Sequence, residues 1–280
     1  MDFSRRAFGA CILGLFCSRA HSSPILRRRY RADAVILLLG IPLYKRVGVG
    51  SGEVSVQQTG EGAQARRTLF FAAGSDPQRA HGLARLGWMR EVIHGPETTP
   101  AQIEYFGVLT SSPEESLDSA RKSVVAPPGG QSLFAAVNGR HTAGHSRSAL
   151  TKFEYSSEAP WSDPALIAKA QSLFGPDTTW RETSWPKSPN QPPPTFLLQL
   201  EALLNQRTKG SGLYVYNEQE YLLDLGAPQQ GVIKGSVRNQ RTGNRTAFRV
   251  WVEKAPNPAI PVRIEFQPHS FLRLTFEAVK

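Results

Sequence analysis

Residues 231–253, GVIKGSVRNQRTGNRTAFRVWVE, followed after a short break by IPVRIEF at 260–266 and LRLTFEA at 272–278, decide the fold class. In each piece large apolar residues recur at every second position, the period of a half-buried β-strand. Thr242-Gly243-Asn244 supplies a turn between 231–238 and 246–253, and Asn217-Glu218 does the same between 213–216 and 220–225. Strands this close in sequence pair antiparallel, because a parallel pair needs a crossover of a dozen residues or more. The last third of the chain therefore reads as a meander. Ile260, Val262, Ile264 and Phe266 are expected on one buried face, with Leu272, Leu274 and Phe276 on another. The alternate residues Arg263 and Gln267 are then expected in solvent.

Working toward the N-terminus, 31–39 and 69–73 read as well-buried strands. In 103–109, Ile103, Tyr105 and Leu109 share one face, and Glu104, Phe106 and Val108 the other. Three helices interrupt the strands. Ser112-Pro113-Glu114-Glu115 is a capping box followed by Leu117, Ala120 and Val124. Ser162 or Asp163 opens a second helix with a stripe of Leu166, Ile167, Ala170, Leu173 and Phe174, closed by Gly175-Pro176. A third, over 195–207, presents Phe196, Leu197, Leu200, Leu203 and Leu204. The expected architecture is mainly β with a few helices (α+β): a curved antiparallel sheet or open barrel with three covering helices. Residues 21–280 form a single β-rich domain. The proline-rich stretch 183–194, with Pro186, Pro189, Pro192, Pro193 and Pro194, is read as a loop within it.

Residues 1–20, MDFSRRAFGACILGLFCSRA, have the basic head, apolar stretch and small-residue exit of a cleaved export signal. Within them Ser4-Arg5-Arg6-Ala7-Phe8 resembles the twin-arginine motif, in which a receptor reads the arginine pair and the aromatic two residues on. Cleavage is expected after Ala20. Replacing Arg5 and Arg6 by lysine should leave precursor in the cytoplasm, and normal processing of that variant would assign the signal to general secretion instead. The chain has two cysteines, Cys11 and Cys17, and both lie in the segment to be removed. The exported chain then has no thiol for disulfides, nucleophilic catalysis or metal ligation.

The formal charge is +10, and removing Arg5, Arg6, Arg19 and Asp2 leaves +8. The densest cluster, Arg27-Arg28-Arg29 with Arg31, reads as a solvated lead-in after the cleavage site. No basic helix or aromatic-interleaved motif accompanies it, so no nucleic-acid partner is expected. For an exported protein the basic surface points to anionic lipid or wall polymer as partner, besides the export machinery. No apolar run approaches the roughly 18 to 20 residues of a membrane-crossing helix; the run 34–39 is stopped by Gly40 and Pro42.

Motifs for chemistry are scarce. His141 and His145 have i, i+4 spacing but lack the glutamate of a metalloprotease helix, and Gly139, Gly144 and Ser146 argue for a turn. No metal site and no cofactor are expected. Gly48-Val49-Gly50-Ser51-Gly52 has no following helix to cradle a phosphate and reads as a hairpin tip or a glycine kink in a curving sheet. The segment 74–82 places Asp76, Arg79 and His81 between two glycines after a buried strand. These three are the candidate ligand-binding residues, with a self-satisfied turn as the alternative. No catalytic residue is assigned. Asp76, Glu91 and Glu104 are carboxylates that a fold could bring together for glycoside chemistry.

Two sets of residues, Tyr30-Arg31-Ala32-Asp33-Ala34 leading to Gly40-Ile41-Pro42, and Gly235-Ser236-Val237-Arg238 with 248–252 and Ile260-Pro261-Val262-Arg263-Ile264, resemble the bacterial exported domain-of-unknown-function family 3108. The resemblance covers the two β-rich ends. It implies a curved antiparallel sheet or open barrel in the periplasm or cell envelope, and it carries over no catalytic residues. The expected function is a non-enzymatic envelope protein, soluble after signal cleavage, that binds an apolar or amphiphilic ligand such as a lipid or glycan intermediate. The alternatives are a structural or assembly protein of the envelope and a carboxylate-based polysaccharide hydrolase.

Overall fold

The computed structural model describes residues 25–76, 78–80, 86–95, 102–110, 132–142, 145–155, 164–184, 195–216, 219–253 and 260–279. They hold a 14-stranded sheet and two α-helices. The strands are β1 (Leu26–Leu38), β2 (Ile41–Thr59), β3 (Arg66–Ser75), β4 (Leu86–His94), β5 (Gln102–Thr110), β6 (Ser132–Thr142), β7 (His145–Tyr155), β8 (Arg181–Ser184), β9 (Gly210–Tyr216), β10 (Gln219–Leu225), β11 (Val232–Asn239), β12 (Arg245–Trp251), β13 (Arg263–His269) and β14 (Leu272–Ala278). The helices are α1 (Pro164–Ser172) and α2 (Phe196–Gln206). The expected helix after Ser112 and most of the proline-rich stretch lie outside the described residues, as does the export signal with Arg5, Arg6, Phe8 and Ala20.

The order across the sheet is β8-β7-β6-β5-β4-β3-β2-β1-β14-β13-β12-β11-β10-β9. Two antiparallel meanders are joined where the first and last strands pair, from Tyr30 opposite Ala278 to Ile36 opposite Leu272. The sheet is also rolled. Helix α2 packs through Phe196 and Leu197 on Leu69 of β3 and Ile93 of β4, and through Leu203 and Leu204 on Tyr214, Tyr221 and Leu223 of β9 and β10. Strands β3 and β9 stand eight places apart, about 38 Å on a flat sheet at 4.8 Å per strand. A helix about 10–12 Å across reaches both only if the strands between curl around it. The α2 side is therefore the inner face.

Alternation then assigns every strand residue. Tyr30, Ala32, Ala34 and Ile36 face inward with Leu69, Glu91, Ile103, Leu223, Ile264 and Leu274, while Trp88, Phe106, Phe134 and Phe153 face outward. Helix α1 covers that outer set with Leu166 and Ala170, and aromatic contacts bind the layer, Trp88 to Phe106 at 5.2 Å and Phe134 to Phe153 at 5.5 Å between ring centres. Leu173, expected in the α1 stripe, is instead 40% exposed, because the helix has ended at Ser172.

Three expectations need correction. Of the two readings of Gly48 to Gly52 the hairpin tip fails and the glycine kink holds: they lie inside β2, where the partner of Ala32 is Gly50 and the partner of Ala34 is Arg46. That shift is a β-bulge, with Gly48 at φ +67, a left-handed conformation that side chains disfavour. The arginine cluster is no lead-in: it belongs to β1, and although Arg27, Arg29 and Arg31 stay exposed, its charges meet carboxylates on β1 and on neighbouring segments. Arg27 lies 2.6 Å and Arg29 3.6 Å from Glu53, Arg28 3.1 Å from Glu253, and Arg31 3.2 Å from Asp33 and 3.3 Å from Glu277. The closing strands have the expected alternation but not the expected burial. Phe266 is 37% exposed, whereas Glu265 and Thr275, on the outer face, are buried.

Candidate functional site

The helix inside the hollow is held by a carboxylate. Helix α2 begins at Thr195, whose extended backbone makes it the N-cap but whose side chain caps nothing. Its hydroxyl donates instead to Glu91 of β4, and the same carboxylate accepts the backbone N–H groups of Leu197 and Leu198, each at 3.2 Å. A residue of the sheet thus does the work usually done by the cap residue, satisfying N–H groups that a helix start leaves without partners. Arg67 of β3, 3.4 Å from Glu201, ties the next turn. Burial pushes the Glu91 carboxyl up to about 7, against the hydrogen bonds from Thr195, Leu197 and Leu198, and the Glu201 charge adds to the rise. The signal in the sequence was an acid in phase with Met89 and Ile93; its partners lie more than a hundred residues away.

Beyond α2 the inner face is uncovered. Along β1 its exposure rises from 2% at Tyr30 and 5% at Ala32 to 39% at Ile36 and 56% at Leu38. Across β13 and β14 the neighbouring inner residues are Ile264, Phe266, Leu272, Leu274 and Phe276, none of them buried. The Tyr30 end is closed, with the phenol donating to the Pro261 carbonyl at 2.6 Å. The result is a groove with an apolar floor, flanked by Arg46 opposite Ala34 and open toward the β1–β2 turn. The outer face of the same strands carries the ion pairs: Arg263 lies 2.6 Å from Glu265 and 3.3 Å from Glu277, and its guanidinium stacks on Trp251 at 4.8 Å. A shallow pocket of about 670 Å³ near Lys234, Arg249 and Trp251 also lies on that outer side. Arg249 there faces Glu265 at 3.8 Å.

Of the residues predicted as a polar site, Asp76 and Arg79 are engaged with each other and with the β2 bulge, away from the groove. Asp76 accepts the N–H groups of Gln78 and Arg79 at 3.0 and 3.4 Å, and the Arg79 guanidinium lies 3.6 Å from its carboxylate. This is a turn that satisfies its own acid, docked on the β2 bulge through the Asp76 N–H to the Val49 carbonyl at 2.7 Å. His81 lies outside the described residues. His141 and His145 sit on opposite strands of a hairpin, with His141 opposite Ser146 and His145 opposite Thr142, and so on opposite faces of the sheet. His141 is buried and stacked 4.6 Å from Tyr105; burial pushes it down to about 4, which leaves it neutral at pH 7. Glu91 and Glu104 also fall on opposite faces, and Glu104 is bound to Arg140 at 2.8 Å, so the carboxylates form no pair.

The fold and groove define a class, an open rolled antiparallel sheet with a helix anchored in its hollow. No family model, curated protein or solved structure matches this chain in comparisons with known proteins.

Proposed function

We propose that this is a non-enzymatic, exported protein of the bacterial cell envelope that binds the apolar part of an amphiphilic molecule, a lipid or lipid-linked glycan intermediate, in the groove of the rolled sheet. One observation carries the reading: on β13 and β14 the apolar face is left largely uncovered while Glu265 and Thr275 are buried on the other, and the apolar inner residues Ile36 and Leu38 at the end of β1 continue that open surface. A sheet folded only for stability buries its apolar side, and a contiguous apolar surface left in water marks a binding site. Concave sheets with a few polar groups at the rim are common ligand sites. The export signal and the resemblance of the two β-rich ends to an exported family support the location.

The test is native mass spectrometry of protein purified from the envelope, together with uptake of a fluorescent fatty-acid probe. A bound small molecule is expected. Ala34→Trp, which fills the groove at a half-buried inner position, should weaken probe binding roughly tenfold, the effect of losing about 1.4 kcal/mol of contact. A bare polypeptide mass combined with equal probe uptake by the variant would remove the reading.

A further inference from the structure

The β1–β2 hairpin extends past its neighbours. Ladder pairing with β3 starts only at Gly50 and the turn after β3 reaches no farther than the Val49 carbonyl, so residues 41–46 of β2 pair with β1 alone, and on the other side β14 accompanies β1 only as far as Ile36. At about 3.4 Å per residue the four steps from Val35 to Leu39 carry the tip roughly 14 Å beyond the level of Lys45. This projection is apolar. Leu38 is 56% exposed, Leu39 96%, Ile41 65%, Leu43 63% and Tyr44 56%, and Phe271, 55% exposed, stands beside them with its carbonyl accepting the Leu37 N–H at 2.8 Å.

The turn itself argues against a purely structural origin. Leu38 pairs with Ile41, and the two residues between them, Leu39 at φ +49 and Gly40 at φ +85, are both left-handed. A two-residue hairpin of this kind favours Asn-Gly or Asp-Gly. Leucine is disfavoured in that backbone conformation and is also almost wholly in water, so two local preferences are violated at one residue. Such conflicts concentrate at functional positions. At the base of the projection the charge is positive: Lys45, Arg46, Arg79 and Arg273 stand against Asp33, which is buried, and Asp76. Apolar tip above cationic belt is the profile of a segment that enters a lipid interface, where insertion depths of about 5–10 Å and basic residues at headgroup level are usual.

We infer that the β1–β2 hairpin is a wedge that docks the protein on an anionic lipid bilayer, with Leu39 and its neighbours in the acyl region and Lys45, Arg46, Arg79 and Arg273 at the phosphates. The groove opens at the same end of β1, yet the docking does not depend on the groove holding a ligand. A single substitution separates docking from folding. Leu39→Asn suits the left-handed turn, so its melting temperature should equal or exceed that of the parent.

The experiment is flotation of the protein with phosphatidylcholine vesicles containing about a third phosphatidylglycerol, a surface negative enough to attract basic side chains. The parent should float, and about 0.5 M salt should weaken it by screening. Leu39→Asn should lower partitioning about tenfold through loss of an inserted apolar side chain. In Leu39→Trp the added fluorescence should be quenched by brominated acyl chains, a signal that attachment through any other segment cannot give. Flotation of Leu39→Asn equal to the parent, with Leu39→Trp unquenched, would overturn the wedge. So would a lowered melting temperature of Leu39→Asn with unchanged flotation, which would mean that the tip is covered by its own chain. A dimer in the parent that Leu39→Asn dissociates, without flotation, would assign the tip to a second copy instead.

Discussion

Glu91→Ala is expected to destabilise the protein by about 3 kcal/mol, because it leaves the Leu197 and Leu198 N–H groups and the Thr195 hydroxyl buried without an acceptor, at about 1–3 kcal/mol per unsatisfied group before relaxation. Glu91→Gln keeps an acceptor and should cost far less. The informative measurement is urea denaturation as a function of pH. The folded carboxyl titrates at about 7 against an ordinary 4.5, so between those values the native state holds a proton that the unfolded chain has released. Stability from this group is therefore full below about pH 4.5 and falls by about 3 kcal/mol as pH rises to 7.

His141 acts with the opposite sign. Folded at about 4 and unfolded at 6.5, it is neutral in the native state while the unfolded chain is protonated, so its contribution rises by about 3 kcal/mol between those values. The parent should be nearly flat from pH 4.5 to 6.5 and decline from there to 7. Glu91→Gln should unmask the rise, and His141→Phe should unmask the fall. Identical pH profiles for parent and both variants would show that neither group is buried as described.

Trp88→Ala is expected to cost about 3–5 kcal/mol and Phe266→Ala only about 1. Trp88 is 4% exposed in the aromatic layer beneath α1, within 6.1 Å of Phe70 and 5.2 Å of Phe106, and truncation leaves a cavity that close packing cannot collapse. Phe266 is 37% exposed on the groove, so it loses little on truncation and should reduce probe binding instead. Arg263→Ala should exceed the roughly 0.5 kcal/mol of an ordinary surface change, since it deprives Glu265, nearly buried, of its closest cation. Chemical denaturation of the three variants decides the matter. Equal losses at Trp88 and Phe266 would mean that the groove is filled by protein, and the ligand proposal would fail with it.

From the sequence Phe266 is expected on a buried face, whereas the structure leaves it 37% exposed. Alternation along 260–266 and 272–278 correctly separates Ile264 and Phe266 from Arg263 and Glu265, because side-chain direction in a strand is a local property with period two. The same local logic correctly located α1 and α2 from their stripes, the β9–β10 and β11–β12 hairpins from their turns, and the division of 103–109 into two faces. Which of the two faces is covered is not local. On β13 and β14 the outer face is closed by ion pairs reaching across strands, while the inner face depends on how far an eleven-residue helix extends along the hollow.

By itself, then, the sequence determined that the chain is mainly β, where the last six strands run and which residues share a side. Tertiary structure alone decided that β1 pairs with β14, that the sheet rolls around α2, and that Glu91 caps a helix more than a hundred residues distant. Each of these is a contact between segments remote in the chain. The hydrophobic pattern of a strand is the same whichever strand lies beside it, and only the assembled sheet settles which apolar faces are buried and which remain in water.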